Sequence, residues 1–423
     1  MKNDRLKEEV YTHELENGLK VFYMPKKGYV KKYAIYATNY GSNDNKFKPI
    51  GENDIVEVPE GIAHFLEHKL FEEPEGNIFN DFSKLGSYVN AYTNYNQTAY
   101  LFSCTDKFYE NLELLVKFVQ NPYFTDENVE KEKGIIEQEI RMYDDAAEWK
   151  VFSNSLSAMY NVHPVRIDIA GTVDSISKID KEILYKCYNT FYNPANMIIF
   201  IIGDVDFDNA LDIIRKNQKI SEKPSKIIER VRTSEPDKVN RKTIQDTLSV
   251  STPIFNIGYK DTDIGYDGDK LIHKEICTNI LLEMLFGNSS EFFQQLYDEG
   301  LITNSFGSQY VGNKDYGYSI IGGESESPKT VLERIEHYIK NTREKGLSKE
   351  DFNRIKKKLI GYHLMELNSI EYIATNFVSY HFKNSSLLRY LDIINEVSIS
   401  DVQKRFDVHM NDDNHVLSIV MPK

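Results

Sequence analysis

Residues 61–73 read GIAHFLEHKLFEE and set two histidines, His64 and His68, four positions apart with Glu67 between them. An α-helix turns once in about 3.6 residues, so positions i and i+4 share a face. On a helix, both imidazoles can therefore bind one metal ion. Zinc accepts such nitrogen ligands, and a catalytic zinc site uses three protein ligands and keeps one position open. Glu67 sits one residue before His68, so it can face the same cleft without being forced onto the ion. That is where a general base for water belongs. The competing reading is an ordinary amphipathic helix that carries histidines. With ten histidines in the chain, HxxEH arises by chance in roughly a few per cent of such sequences, which favours zinc.

The helix itself follows from its neighbours. Ile62, Phe65, Leu66 and Leu70 recur at helical spacing after Gly61, which ends a polar, aperiodic stretch read as a loop from Gly41. HxxEH inverts the HExxH order and is the inverzincin pattern. A third ligand must come from elsewhere. Thr125 is a suitable N-cap for a helix running through VEKEKGIIEQEIRMYDD, which offers Glu132, Glu137 and Glu139. Glu132 and Glu139 are seven apart and share a face; Glu137 points elsewhere. Any one glutamate on so charged a helix reads, without further information, more readily as solvated surface. His163, in NVHPVR, is a rival ligand from a loop. On the residues alone the third ligand stays open.

Other segments supply the frame. LENGLKVFY reads as a turn and a strand, VKKYAIYAT as a second strand, and SYVNAYTNYNQTAYLFSC as a hairpin. GNIFNDFSKLG, DKFYENLELLVKFVQN and KEILYKCYNTFY read as helices, and NMIIFIIGD as a buried strand. The second half repeats the first weakly. ISDVQKRFDVHMNDDNHVLSIVMPK parallels IDKEILYKCYNTFYNPANMIIFIIGD, with Asn196 and Asn414 at matching places, but carries no HxxEH. The expected division is a zinc-binding half over residues 1–220, a polar linker over 221–240 and a half without the motif over 241–423.

Composition narrows the function class. The 423 residues carry a net charge of −14, with 41% hydrophobic and 27% charged residues. That balance argues against a nucleic-acid partner, which wants a basic stripe. Most of the charge reads as solvated surface, although it also suits basic peptides drawn into an acidic cavity. No apolar run is long enough to span a bilayer, and the polar MKNDRLKEEV start has no signal-peptide core, so no membrane association and a cytoplasmic location are expected. Cys104, Cys187 and Cys277 form neither a disulfide framework nor a CxxC clip.

With these motifs in hand, the chain resembles the pitrilysin/insulinase-type zinc peptidase family, most nearly its cytosolic YmfH-type members from Gram-positive bacteria. GIAHFLEH resembles the family's opening motif, and EKGIIEQEI its downstream segment. LGSYVNAYTNYNQTAY resembles its Gly-x-x-x-Asn-Ala-x-Thr hairpin, and IAGTVDSI and YNPANMIIFIIGDVD also fit. The resemblance implies one zinc ion per chain held by His64, His68 and Glu139, with Glu67 as catalytic base and Glu132 as a supporting acid. It implies that Asn90 and Ala91 lie on an edge strand that pairs with an extended peptide substrate. It also implies an α+β fold of two homologous halves, each a mainly antiparallel sheet with helices packed on one face.

One departure stands out. Where active family members carry Leu-Arg-x-x-Gly-Leu-x-Tyr, this chain has LYDEGLIT, with Tyr297 in the Arg place and Thr303 in the Tyr place. A site without that pair lacks an oxyanion stabiliser commonly worth several kcal/mol. The expected remedy is a heterodimer with a paralogous subunit that supplies Arg and Tyr; a homodimer is the alternative. Two other functions stay open: a non-catalytic peptide-binding or scaffolding subunit, and a hydrolase of non-peptide amides.

Overall fold

Short apolar runs rich in Tyr, Ile and Val build two sheets in a computed structural model that describes residues 1–74, 76–218 and 228–423. The first sheet contains β1 (Tyr11–Glu14), β2 (Lys20–Pro25), β3 (Lys32–Thr38), β4 (Tyr88–Thr93), β5 (Thr98–Cys104) and β6 (Met197–Gly203). Its order is β4-β5-β3-β6-β2-β1, with β6 parallel to β2 and antiparallel to β3. The second sheet contains β7 (Thr243–Leu248), β8 (Ile254–Lys260), β9 (Gly307–Gly312), β10 (Gly317–Glu324) and β11 (His415–Pro422). Its order is β9-β10-β8-β11-β7, and β11 is parallel to β7 and antiparallel to β8. The weak sequence repeat is therefore a repeat of topology: hairpin, central strand, and a last strand laid beside the first. Asn196 and Asn414 each close a short 3₁₀ turn that feeds the last strand, β6 and β11 respectively.

The helices that matter below are α1 (Ile62–Leu70), α2 (Asp126–Asp144), α3 (Ala147–Met159), α4 (Gly268–Phe286), α5 (Ile370–Phe382) and α6 (Ile399–His409). The chain forms the α+β, two-unit architecture expected, but the units are not contiguous in sequence. One comprises Met1–Ile140, Asp168–Arg232 and Leu367–Phe382; the other comprises Arg141–Ile167, Thr233–Glu366 and Lys383–Lys423. The main change of unit, at 232/233, falls inside the expected 221–240 linker, whose residues 221–227 lie outside the described residues. Two helices are exchanged. α3 follows the first-half sequence yet packs on β8 and β11, and α5 follows the second-half sequence yet packs on β3 and β6.

Side chains explain why each exchanged helix stays where it is. Successive strand residues point to opposite faces. In β2 and β6, Val21, Tyr23, Ile199 and Ile201 join the core made with the helices of the same half. Phe22 and Phe200 point the other way and are equally buried, because Phe377 of α5 meets their rings at 5.0 and 4.4 Å between centroids. Burying a phenylalanine side chain is worth about 1.5–3 kcal/mol, so these strands need a cover on both faces. In the other unit, a Cβ on Gly258 would lie 2.9 Å from Met159 Sδ of α3, so the missing side chain is what lets that helix sit down on β8.

The stretch 41–61, read as loop, contains two short paired strands, Lys46–Lys48 and Val56–Glu57, and Glu229–Arg230 adds to the first of them. A buried anchor that the polar composition hid accounts for this. Phe47 is fully buried against Phe191, and Asp44 receives Arg230 Nε at 3.0 Å and Arg232 Nη2 at 2.6 Å.

Two buried charge clusters hold the other unit. Asp261, just past β8, is fully buried. It accepts hydrogen bonds from the Tyr310 hydroxyl at 2.6 Å, from Lys274 of α4 at 3.1 Å and from the Arg405 guanidinium of α6. Glu235 accepts from the backbone N–H groups of Asn161, Val162 and His163 at 2.7–2.8 Å and from Lys260 Nζ at 2.5 Å. Burial works against the Glu235 charge, but these donors outweigh it and hold the carboxyl at about 2. A depressed folded-state value stabilises the native state above the unfolded value, and the stabilisation fades as pH falls toward the folded one. We expect a contribution of ~3 kcal/mol, complete above pH ~4.5 and lost on acidification toward pH ~2. Urea titrations of wild type and Glu235→Gln across that interval should converge at the acid end.

Candidate metal centre

Glycines set the start of α1. Gly61 has φ +87°, and a Cβ there would lie 2.3 Å from the Ala170 carbonyl oxygen. Gly171, φ +77°, approaches Glu60 from the other side, and Ser175 Oγ donates to the Glu60 carbonyl at 2.8 Å. The helix that starts here buries Ile62, Ala63, Phe65, Leu66 and Leu70 and turns its remaining face, with His64, Glu67 and His68, toward a cleft of about 580 Å³. α2 forms a second wall with Glu132 and Glu139, and β4 a third with Asn90, Ala91 and Thr93.

His64, His68 and Glu139 offer ligand atoms that all lie within 4.8 Å of one another, and they are the one such group among the described residues. Glu139 Oε1 is 3.8 Å from His64 Nε2, and Glu139 Oε2 is 3.6 Å from His68 Nε2. A tetrahedral shell with bonds of about 2.1 Å separates its donors by about 3.4 Å, so a small inward shift of three side chains would make a zinc-sized shell. The protonation chemistry agrees. His68 Nδ1 is 3.0 Å from Glu132 Oε1, and a carboxylate can only accept there. Nδ1 therefore carries a proton and donates, and Nε2 is the ring nitrogen turned toward Glu139. Burial, and then the neighbouring His68, push His64 down to about 3, which keeps its ring neutral and able to ligate. Its Nδ1 is buried without a hydrogen-bond partner among the described residues. The residues fit a zinc ion.

Burial sets most of the remaining electrostatics. Glu67 is buried and its carboxyl is raised by desolvation, against a 2.7 Å hydrogen bond from Thr93 Oγ1. Glu139 is raised by burial, partly countered by His68. Burial opposes the charge of Glu132, but the hydrogen bond and charge of His68, with help from Lys69, bring it below the usual carboxylate range. Burial likewise opposes charging of His68, and Glu132, Glu67 and Glu139 together outweigh it.

The other candidates separate cleanly. Glu137 and His163 do not join the cluster. His163 is a buried capping residue in the other unit, where its Nδ1 accepts the Val165 N–H at 3.1 Å. Asn90 and Ala91 lie on β4, the edge strand of its sheet, opposite Leu101 and Tyr100 of β5. Tyr297 is exposed and stacks on Phe293, and Thr303 Oγ1 is 2.7 Å from Ser305 Oγ. Two neighbours of the site escaped the sequence reading. Thr93 holds the Glu67 carboxylate, and its place beside Asn90 and Ala91 in the hairpin motif was the available signal. Lys69 is fully buried beside Glu72 and Glu132; a single lysine near the end of α1 gave no such sign.

Residues 56–173 match the family description "Insulinase (Peptidase family M16)", and residues 178–359 match "Peptidase M16 inactive domain". The chain is 43% identical to the "Uncharacterized zinc protease YmfH" of Bacillus subtilis, across 99% of this chain and 98% of that protein. It superposes with TM-score 0.94, at 39% identity, on an M16-like peptidase from Alicyclobacillus acidocaldarius, covering 98% of this chain and 99% of the other. Crystalline pitrilysin shares the fold at 16% identity and TM-score 0.75, and there the match covers all of this chain but 46% of pitrilysin. With the metal-ligand cluster on α1 and α2 and a full-length likeness of this degree, the chain belongs to the M16 family of insulinase- and pitrilysin-like peptidases.

Proposed function

We propose that this chain is a zinc metalloendopeptidase that cleaves peptides or unfolded segments in an enclosed chamber built with a paralogous subunit. The observation that carries the reading is the convergence of His64, His68 and Glu139 beside a buried, hydrogen-bonded Glu67. The naming of relatives such as YmfH as zinc proteases supports it.

The ion held by these three residues would supply Lewis-acid polarisation. The chain's own residues do the rest. The exposed edge of β4 at Asn90 and Ala91 pairs with an extended substrate main chain, which makes binding tolerant of side-chain sequence. Glu67 takes a proton from the attacking water at its carboxylate and passes it to the departing amine nitrogen. Thr93 fixes the carboxylate that does so. Removing that hydroxyl by Thr93→Val is expected to lower turnover about tenfold, the effect of losing roughly 1.4 kcal/mol, at unchanged zinc content. Steady-state kinetics with metal analysis reads both.

The partner follows from Tyr297 and Thr303, which replace the Arg and Tyr of active relatives. A paralogue carrying that pair would complete the site, and a cytoplasmic location fits the composition. The test is zinc content and peptide-library cleavage for the chain alone and mixed with its paralogue. Cleavage that requires both, with one zinc per chain, supports the reading. Full activity from the isolated chain removes the partner, and no cleavage in either case removes the enzyme.

A second reading, a non-catalytic peptide-binding or scaffolding subunit, draws on the same two replacements and on the inactive-domain match of residues 178–359. The intact base opposes it, since a scaffold has no use for Glu67.

A further inference from the structure

We infer that Lys69 is a positioning residue for the metal centre: its buried ammonium lies against Glu132, so that the opposite oxygen of that carboxylate holds the His68 ring with Nδ1 donating to it and Nε2 turned toward Glu139. The inference rests on the metal-site reading above and goes beyond it. It assigns a role to a side chain that neither ligates nor touches substrate.

The geometry is a relay along one carboxylate. Lys69 Nζ lies 3.6 Å from Glu132 Oε2, while Glu132 Oε1 accepts from His68 Nδ1 at 3.0 Å. Lys69 follows His68 on α1 about 100° further round the helix, and its long side chain brings the ammonium beside the second oxygen of Glu132 of α2. Lys69 also bonds Glu72, which in turn lies 3.6 Å from Lys131. A fully buried lysine is rare unless paired, and this one is paired on two sides.

Charge balance gives the reason. Glu67, Glu72, Glu132 and Glu139 all line this cleft. Glu132 is shared between two partners, with His68 on one oxygen and Lys69 beside the other. Among three other acids it needs a nearby cation, and one that leaves the His68 side of the carboxylate free. Lys69 meets both needs because it approaches from behind. Outer partners of ligating histidines commonly change metal affinity 10- to 100-fold when lost.

The experiment measures zinc affinity by competition with a chromophoric chelator, and the His68 tautomer by ¹⁵N NMR of the metal-free protein at alkaline pH, where the ring is neutral. We use wild type, Lys69→Met, Lys69→Arg and Glu72→Gln. Expected results are about tenfold weaker zinc binding in K69M, a loss of the Nδ1–H tautomer there, recovery of both in K69R, and zinc affinity within about twofold of wild type in E72Q. If K69M does not fold, as judged by circular dichroism, Lys69→Gln takes its place with the same expectations. A folded K69M or K69Q with unchanged affinity and tautomer overturns the inference. So does a tenfold loss in E72Q, which would mean that any cation–carboxylate pair in the cluster serves equally. Wild type that binds no zinc would sink the metal-site reading. The tautomer, read without metal, still decides the role of Lys69 in that case.

Discussion

Replacing Glu67 by Gln is expected to reduce peptide hydrolysis by about 10³-fold, the scale of losing a general base, while zinc stays bound. The substitution keeps volume and one acceptor oxygen but removes the proton-accepting charge. The Thr93 hydroxyl can still donate to the amide oxygen, so the side chain should hold its place on α1. His64, His68 and Glu139 are untouched, and the ligand cluster does not include Glu67. Zinc content by atomic emission and turnover on a peptide pool, each with the proposed paralogous subunit added, separate the readings. An enzyme loses turnover and keeps metal. A scaffolding subunit keeps partner binding and has no turnover to lose. Loss of zinc together with activity would instead make Glu67 a ligand and would reassign the base.

Replacing Asp261 by Ala is expected to cost ~3–5 kcal/mol of stability, enough to threaten folding. Removing one partner of a buried ion pair leaves the other charge uncompensated, and that is the most damaging way to break such a pair. Here two cations would be stranded, because Arg405 and Lys274 both point at this carboxylate and all three are buried. Burial opposes the Asp261 charge, yet His409, Arg405 and Lys274 together hold the carboxyl well below the usual range. His409 is itself pushed down to about 3 by burial and by Arg405. Near neutral pH the two full cations therefore carry the effect. Because the folded-state value is depressed, the stabilisation is complete above the ordinary carboxylate value near 4 and declines as pH falls below it. Chemical denaturation at pH 7 checks the magnitude. An Asp261→Ala protein within 1 kcal/mol of wild type would show that the cluster has another source of compensation.

The metal centre was legible to different depths at different residues. His64, Glu67 and His68 lie within one turn and a half, and helix geometry alone relates them. Glu139 is 71 positions beyond His68, on a helix with several acids, so spacing could narrow the choice but not make it; the family likeness did. Lys69 was invisible because its contact with Glu132 comes from another element, and Thr93 was signalled by the hairpin motif alone, its bond to Glu67 being a product of the fold. β1, β7 to β10, α3, α4 and α5 went unread, whereas the first-half hairpin, β2, β3, β6, β11 and helices such as α1, α2 and α6 were legible from period and turn residues. The exchange of α3 and α5 was not. An amphipathic pattern says that one face of a helix is buried, and nothing in it names the sheet that buries it. The short strands around Phe47 were missed for a related reason, since a single buried aromatic outweighs a polar neighbourhood.

The exchanged helices have a consequence for how the polypeptide can be cut. A break placed in the 221–240 region would leave the N-terminal fragment holding α3, whose apolar face belongs on β8 and β11, and without α5 to shield Phe22 and Phe200. The C-terminal fragment would have the converse defect. Neither piece should be recoverable alone in soluble form, whereas co-synthesis of both should reconstitute the protein, each lending the other a missing lid.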